Sequence, residues 1–510
     1  MKKIILTGAI LMVFLLTSCV SKVSPEELAR VNADLAKAQA EITSLRSALD
    51  KLEQENEAQE ASQSAIETEI KSLLAATEKQ EQQMLELEES RRTATTVVVA
   101  ANTTNEAGKA QADFICDGKD DQVEIQSAID SLPPGGARVQ LLDGTFIIGE
   151  SIILGDNVML AGLSAGTTLK LEDNHGGEGD FFLVKNSNVE GGTLGITIQD
   201  ITFDGNKENQ TIRYQHGLGL EGAFEARITG CAFREFSGAG ILANRLRNST
   251  VSGNNFEGND YGIEIEGFTS EGNSFLNNLF LQNITTDIRL ADSVTNTIMG
   301  NTHEGDAATS WRLSGATYTT IYGNVSKKQT GYGLFMDGKS NYNTICANLS
   351  EGGAIGFAVS DCHHNNFQGN IATKAKYYGF GFDTRSSRNL VVGNTAEENG
   401  NEGIMFHTNS VYNVVSSNRC ERNGHMGISF LYGSDHNTAT GNNLLENGQA
   451  SLMRYEIYIH KSSYNLISAN SCNNMEDQDY NIYITDAESV GNIIVNNVGK
   501  LFNGGKKTRY

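Results

Sequence analysis

A six-residue phrase returns about every two dozen positions and leaves this chain few ways to fold. NTIMGN (296–301), NTICAN (343–348), NNFQGN (365–370), NLVVGN (389–394), NVVSSN (413–418), NTATGN (437–442) and NLISAN (465–470) are versions of it. A second column keeps the same beat: Leu218, Ile241, Ile263, Ile288, Trp311, Leu334, Phe357, Phe380, Ile404, Ile428, Ile457 and Ile482, at intervals of 22 to 29 residues. Self-similarity at this period marks a solenoid, whose units bury their apolar sides only against their neighbours. Each unit holds three short apolar runs in alternation, too short for a helix and parted by polar corners. Strands of period two joined by such corners coil into a parallel β-helix. The fold expected is therefore all-β, with about 13–15 rungs over 146–500. Corners drawn from 53 glycines and only 3 prolines agree with this, because glycine turns a chain tightly and keeps its N–H.

The period also explains why amides stand beside core residues. Rungs of a parallel sheet lie about 4.8 Å apart, so like residues pile into files. Asn301, Asn324, Asn348, Asn370, Asn394, Asn418, Asn442 and Asn470 form one such file, and Asn254 is read the same way. An amide offers a donor and an acceptor to a buried corner, where the strand ladder stops and backbone groups need partners. This file is architecture rather than chemistry.

The open end of a β-helix is an exposed sheet edge and has to be covered. DDQVEIQSAIDSLPPGG (120–136) supplies a capping helix at about 121–132. Asp120 or Asp121 serves as its N-cap, Val123, Ile125 or Gln126, and Ile129 as its apolar face, and Pro133 to Gly136 as its stop. The longer stretch from Ala112 to Phe146 resembles the N-terminal cap of pectate-lyase-like right-handed β-helix proteins. The repeats resemble the domain shared by carbohydrate-binding proteins and sugar hydrolases. These resemblances cover about residues 96–500 and imply a right-handed, single-stranded β-helix. They speak to fold far more than to activity.

Upstream the chain changes character. Lys2, Lys3 and the apolar run from Ile4 to Leu16 form an export signal over 1–18, too short to span a bilayer. It ends in Leu16-Thr17-Ser18-Cys19, which resembles the bacterial lipobox. That resemblance implies a lipid on the Cys19 sulfur, 19–24 as a lipidated tether, and a membrane-anchored protein of the outer membrane or cell surface. Over 25–92, Leu28, Leu35, Ile42 and Leu49 alternate with Val31, Ala38, Leu45 and Leu52 on a seven-residue repeat that resumes in phase from Ile66 to Leu87. Such heptads predict an α-helical coiled-coil stalk and, with it, a homo-oligomer. Linker and cap (93–145), β-helix (146–500) and a tail (501–510) follow.

A net charge of −23 excludes nucleic acid and anionic lipid surfaces as partners, since phosphates would be repelled. Acidic polysaccharide would need a bridging cation such as Ca2+. The cysteines after Cys19 (Cys116, Cys231, Cys346, Cys362, Cys420 and Cys472) have neither zinc nor disulfide spacing and read as small buried hydrophobes.

Used as a ruler, the repeat places Asp337, Ser360, Asp383, His407, Leu431 and His460 in one outward file, with Arg385 two residues beyond Asp383. Asp383, Arg385 and His407 are the candidate catalytic group. Lyase or epimerase chemistry on a uronate needs a base for the proton alpha to the carboxylate and a cation to hold the resulting charge. FGFDTRSSRNL (380–390) resembles the YGFDPH stretch of alginate epimerases. Asp383 matches the aspartate, but Phe380 stands for the tyrosine and Arg385 for the histidine, so the family's proton-transfer groups are missing. A second file, the residue before each motif Asn, reads Tyr342, His364, Arg388, Tyr412, His436 and Tyr464. Planar side chains at rung spacing could stack on successive sugars or could stiffen the corner. Met405, His407, His425 and Met426 offer soft and imidazole donors on neighbouring rungs, and similar repeats occur in periplasmic copper-maturation proteins. Without a defined ligand spacing no metal is assigned. The function expected is non-catalytic: a lipid-anchored β-helix binding polysaccharide or another envelope component. The alternative is a lyase, epimerase or glycoside hydrolase acting on uronate-containing polysaccharide.

Overall fold

The computed structural model describes residues 96–508, apart from 164–165, 177–178, 212–213, 451–453, 474–479, 486 and 507; the export signal, Cys19 and the heptads lie outside the described residues. The chain forms the expected all-parallel β-helix. Three sheets run its length, sheet I with 17 strands, sheet II with 14 and sheet III with 15. Each turn visits I, II and III in order.

One turn shows how the sequence does this. Leu390–Val392 lies in sheet I, Thr395–Glu397 in sheet II and Ile404–Phe406 in sheet III. Each corner opens on a residue in the left-handed region, Arg388 (φ 57°), Gly393 (φ 64°) and Glu398 (φ 55°). The next residue is a buried asparagine: Asn389, Asn394 and Asn399. A left-handed backbone costs a non-glycine residue about 1 kcal/mol, and the amide that follows offsets it. Asn394 Oδ1 accepts from the Asn370 backbone N–H (2.9 Å) and from Asn370 Nδ2 (3.0 Å). Its own Nδ2 donates to the Phe367 carbonyl (2.9 Å) and to Asn418 Oδ1 (3.0 Å).

The expected amide file runs unbroken from Asn254 through Asn278 and Asn301 to Asn497 at the I-to-II corner. The other two corners carry files of their own. Asn343 to Asn492 line the III-to-I corner, and Asn259–Asn283 and Asn399–Asn423–Asn447 line the II-to-III corner. The repeat also sets the strand register. Leu218 pairs with Ile241, Trp311 with Leu334 and Phe380 with Ile404, and even the longest interval leaves Ile428 opposite Ile457. Inside, Phe203, Phe233, Phe256 and Phe280 stack at centroid distances of 4.6 to 5.0 Å. Phe382, Phe406 and Phe430 do the same lower down, at 4.9 and 5.4 Å.

The capping helix is Gln122–Asp130, burying Ile125, Ala128 and Ile129. Val123 does not belong to that face, being 56 % exposed. Asp121 does not cap with its side chain; its carboxylate instead accepts the Gly118 and Ile147 N–H groups, each at 2.8 Å. Sheet I already includes Thr96–Ala100, paired with Arg138–Leu141, and Leu501–Asn503 adds a final strand to sheet III. The six described cysteines are free, five of them buried and Cys346 partly so.

Candidate functional site

The outer face of sheet III carries the side chains with the richest chemistry. Its strands point Phe380 and Phe382 inward, which leaves Asp383 outward, and Gly381, Met405, Ser429, Tyr458, Tyr483 and Phe502 pair in succession down one outward file. Asp383 and His407 meet, Oδ1 to Nδ1, at 3.3 Å, and the same Nδ1 lies 2.5 Å from Thr408 Oγ1. Arg385 stands outside this pair. Its backbone is left-handed (φ 67°), and its side chain, 66 % exposed, places Nε 3.4 Å from Asp361 Oδ1.

On the far side of His407 an unforeseen residue appears. Tyr432 packs edge-on against the imidazole at 4.9 Å and against His460 at 5.0 Å. The contacts continue from His460 to Tyr458 (6.2 Å), Tyr458 to Tyr483 (6.2 Å) and Tyr483 to Phe502 (4.5 Å), with Tyr455 beside Tyr483 at 4.4 Å. The result is a band of rings on five successive rungs, four rung steps or roughly 19 Å long. Asp383, His407, Tyr458, His460, Tyr483 and Phe502 within it are each partly exposed.

Beside the band lies a covered patch. Glu402 is 6 % exposed although it belongs to the outer face, and its Oε2 has no hydrogen-bond partner. Burial pushes its carboxyl up to about 7. Met426 follows it one rung down, and Met405 and Ser429 fill the adjoining file; all three are buried, and Ser429 Oγ also lacks a partner. Burial pulls the neighbouring His425 imidazole down toward its neutral form. Perturbed, poorly satisfied groups of this kind mark functional surfaces. Glu402 was missed because its file reads Ile355, Tyr378, Glu402, Met426 and Tyr455, with no repeated identity.

The second expected file lies at the III-to-I corner and is one rung longer than the motif implies. Tyr318 stacks on Tyr342 (5.3 Å, 7°) and Tyr342 on His364 (5.0 Å, 4°). The Arg388 guanidinium lies 5.3 Å from the Tyr412 ring centre, Tyr412 stacks on His436 (5.0 Å, 8°) and His436 on Tyr464 (5.1 Å, 10°). The rings turn their faces to one another, so edges, phenol oxygens and imidazole nitrogens are what they offer to solvent.

In the cap, donor atoms of Cys116, Asp121 and Glu124 lie within 4.8 Å of one another. Both Asp121 oxygens are already taken by backbone N–H groups, and burial drives the Cys116 thiol far up. The cluster holds the capping helix.

Solved structures match this chain at low identity. Gene product 12 of bacteriophage phi29, in its pre-mature form, is 15 % identical with a TM-score of 0.57, over 74 % of this chain and 61 % of its own. The mannuronan C-5 epimerase AlgE4 A-module of Azotobacter vinelandii is 16 % identical (TM-score 0.35; 77 % and 94 %). DFA-IIIase of Arthrobacter chlorophenolicus A6 is 14 % identical (TM-score 0.44; 72 % and 94 %). No curated protein matches. The family described as periplasmic copper-binding protein (NosD) matches residues 144–286 and 338–452. With half of its length matched across both the early and the late turns, the chain belongs to the NosD family.

Proposed function

We propose that this is an exported envelope protein that binds a neutral polysaccharide along the outer face of sheet III without transforming it. The observation that carries the reading is the band of ring contacts from His407 to Phe502. Tyr483 stacks on both Tyr455 and Phe502, so the partly exposed rings offer a sugar chain apolar edges and polar tips along one face. The net charge of −23 favours an uncharged polymer. Turnover is disfavoured because Arg385 is engaged by Asp361, away from the Asp383–His407 pair. Elimination or epimerisation needs a cation at the substrate carboxylate and a site that excludes water. The Lys2–Cys19 stretch and the periplasmic description of the family support export, and Cys19 would anchor the chain by its lipid.

A glycan array with neutral and uronate polymers tests this. Joint Tyr458→Ala and Tyr483→Ala replacement should weaken binding at least about 10-fold, while Asp383→Ala leaves it intact. Unsaturated uronide that disappears in Asp383→Ala would establish the lyase alternative, and a wild-type chain that binds no glycan would end the proposal.

The family description favours a second reading, copper binding, and the covered patch fits it. The Met405 and Met426 thioethers stand at neighbouring positions to Glu402, whose Oε2 is unpartnered. Thioethers suit copper(I), and a neutral His425 is a competent donor. In a chelator competition, the wild type should take up copper(I) and the Met405→Leu/Met426→Leu chain should not, with glycan binding unchanged. No uptake by the wild type removes this reading.

A further inference from the structure

Sheets II and III carry charged side chains on their outer faces, Asp204, Glu304, Glu351 and Glu397 on one and Glu264 and Asp337 on the other, each paired with an arginine or lysine. Sheet I does not. None of its 17 strands contains an aspartate or glutamate, and from Thr250 to Val495 they contain no charged residue at all. Its outer face instead shows Leu390 (40 % exposed), Val414 (38 %) and Ile493 (37 %), flanked by the stacked rings of the III-to-I corner. A face that met only water would have no reason to differ from its neighbours in a protein of net charge −23.

We propose that the outer face of sheet I is the contact between β-helix domains of two copies of this chain. A face without acidic groups lets two strongly acidic chains touch with the least repulsion. The chain outside the described residues points to the same occupant. Heptads end at Leu87, and the first strand of sheet I begins at Thr96, so the connection spans at most about 30 Å. Chains paired through those heptads would hold two β-helix domains within short reach of each other. Tethering of this kind raises the local concentration to about the millimolar range, so a modest surface suffices. From Thr250 to Val495 the face is 11 strands long, roughly 50 Å. With the flanking rings it could bury on the order of 700 Å² per copy, within the range of stable interfaces.

Cysteine cross-linking in the full chain tests the contact. Val414→Cys, treated with a short bismaleimide, should give a covalent dimer. Ile371→Cys, equally exposed but on sheet II, should not, both in a Cys346→Ser parent because Cys346 is itself a partly exposed residue of sheet I. Adding Leu466→Glu to Val414→Cys should abolish the product while leaving the circular dichroism spectrum unchanged. Equal cross-linking at 371 and 414, or none at 414, overturns the proposal, as does a chain that sediments as a monomer. Protection of the Val414→Cys thiol from a monofunctional maleimide by a glycan, without cross-linking, would assign the face to carbohydrate and overturn it as well.

Discussion

Among the described residues Glu421 is buried beside Arg419 and Arg422, and two further glutamates, Glu402 and Glu456, are buried as well. Glu456 takes the place of the next amide in the II-to-III file, accepting the Asn447 backbone N–H at 3.2 Å as well as its side-chain amide. Glu402 leaves its Oε2 without a partner. Burial pushes both carboxyls from 4.5 to about 7. Between those pH values the folded chain holds protons that the unfolded chain has released, so stability falls as pH rises through the window and levels off above it. Each group contributes about 3 kcal/mol to that fall as an order of magnitude. The urea midpoint should therefore be highest near pH 5 and decline toward pH 8. Glu456→Gln should raise the midpoint at pH 8 and flatten the profile, because its amide oxygen still accepts from Asn447 and carries no charge. A midpoint that does not change over this range, or a Gln variant less stable at pH 8, would show that these carboxyls ionise freely in the fold.

At the scale of the element, the corner is the unit that the sequence specifies: a left-handed residue followed by a buried asparagine. Asn394→Ala strands the Asn370 N–H and the Phe367 carbonyl, and should cost about 2–4 kcal/mol in equilibrium unfolding. Tyr412 isolates the other half of the corner. Its φ of 58° is strained for any residue with a Cβ, while its ring stacks on His436 and lies under Arg388. Both Tyr412→Ala and Tyr412→Gly lose those contacts, but only glycine relieves the strain. Tyr412→Gly should therefore be the more stable by about 1 kcal/mol, and equal midpoints would mean that the corner does not impose its conformation. These elements explain what was legible. Inward files such as Leu218 to Ile482 repeat one chemistry because each rung presents the same apolar slot, and Asn repeats because few side chains can both donate and accept at a closed corner. Outward positions meet solvent one by one, so Glu402 and Tyr432 carry no periodic signal and emerged only from the three-dimensional contacts. In the cap, helical spacing indicated a buried face but not its width, and Val123 fell outside it.

For the whole molecule, each turn packs chiefly against its two neighbours, and length should be adjustable by whole turns. Asn389 to Asn413 is one period of 24 residues. Deleting Asn389 to Tyr412 joins Arg388 to Asn413 and preserves the corner phrase. Asn366–Gln368 would then face Val414–Ser416, Ile371–Thr373 would face Arg419–Glu421, and Phe382 would stack on Phe430. Each new pair repeats the register that the excised turn made with both its neighbours. The shortened chain should fold, with Tm within about 5 °C of the parent. Deleting only Asn389 to Gly400 removes the sheet I and sheet II strands of one turn and should leave insoluble protein. The whole-turn deletion also takes Glu402, Met405 and His407 but spares Tyr458 and Tyr483. Copper(I) uptake should vanish with the turn, while glycan binding persists in weakened form. If both were lost in a folded chain, the covered patch and the ring band would have to be one site.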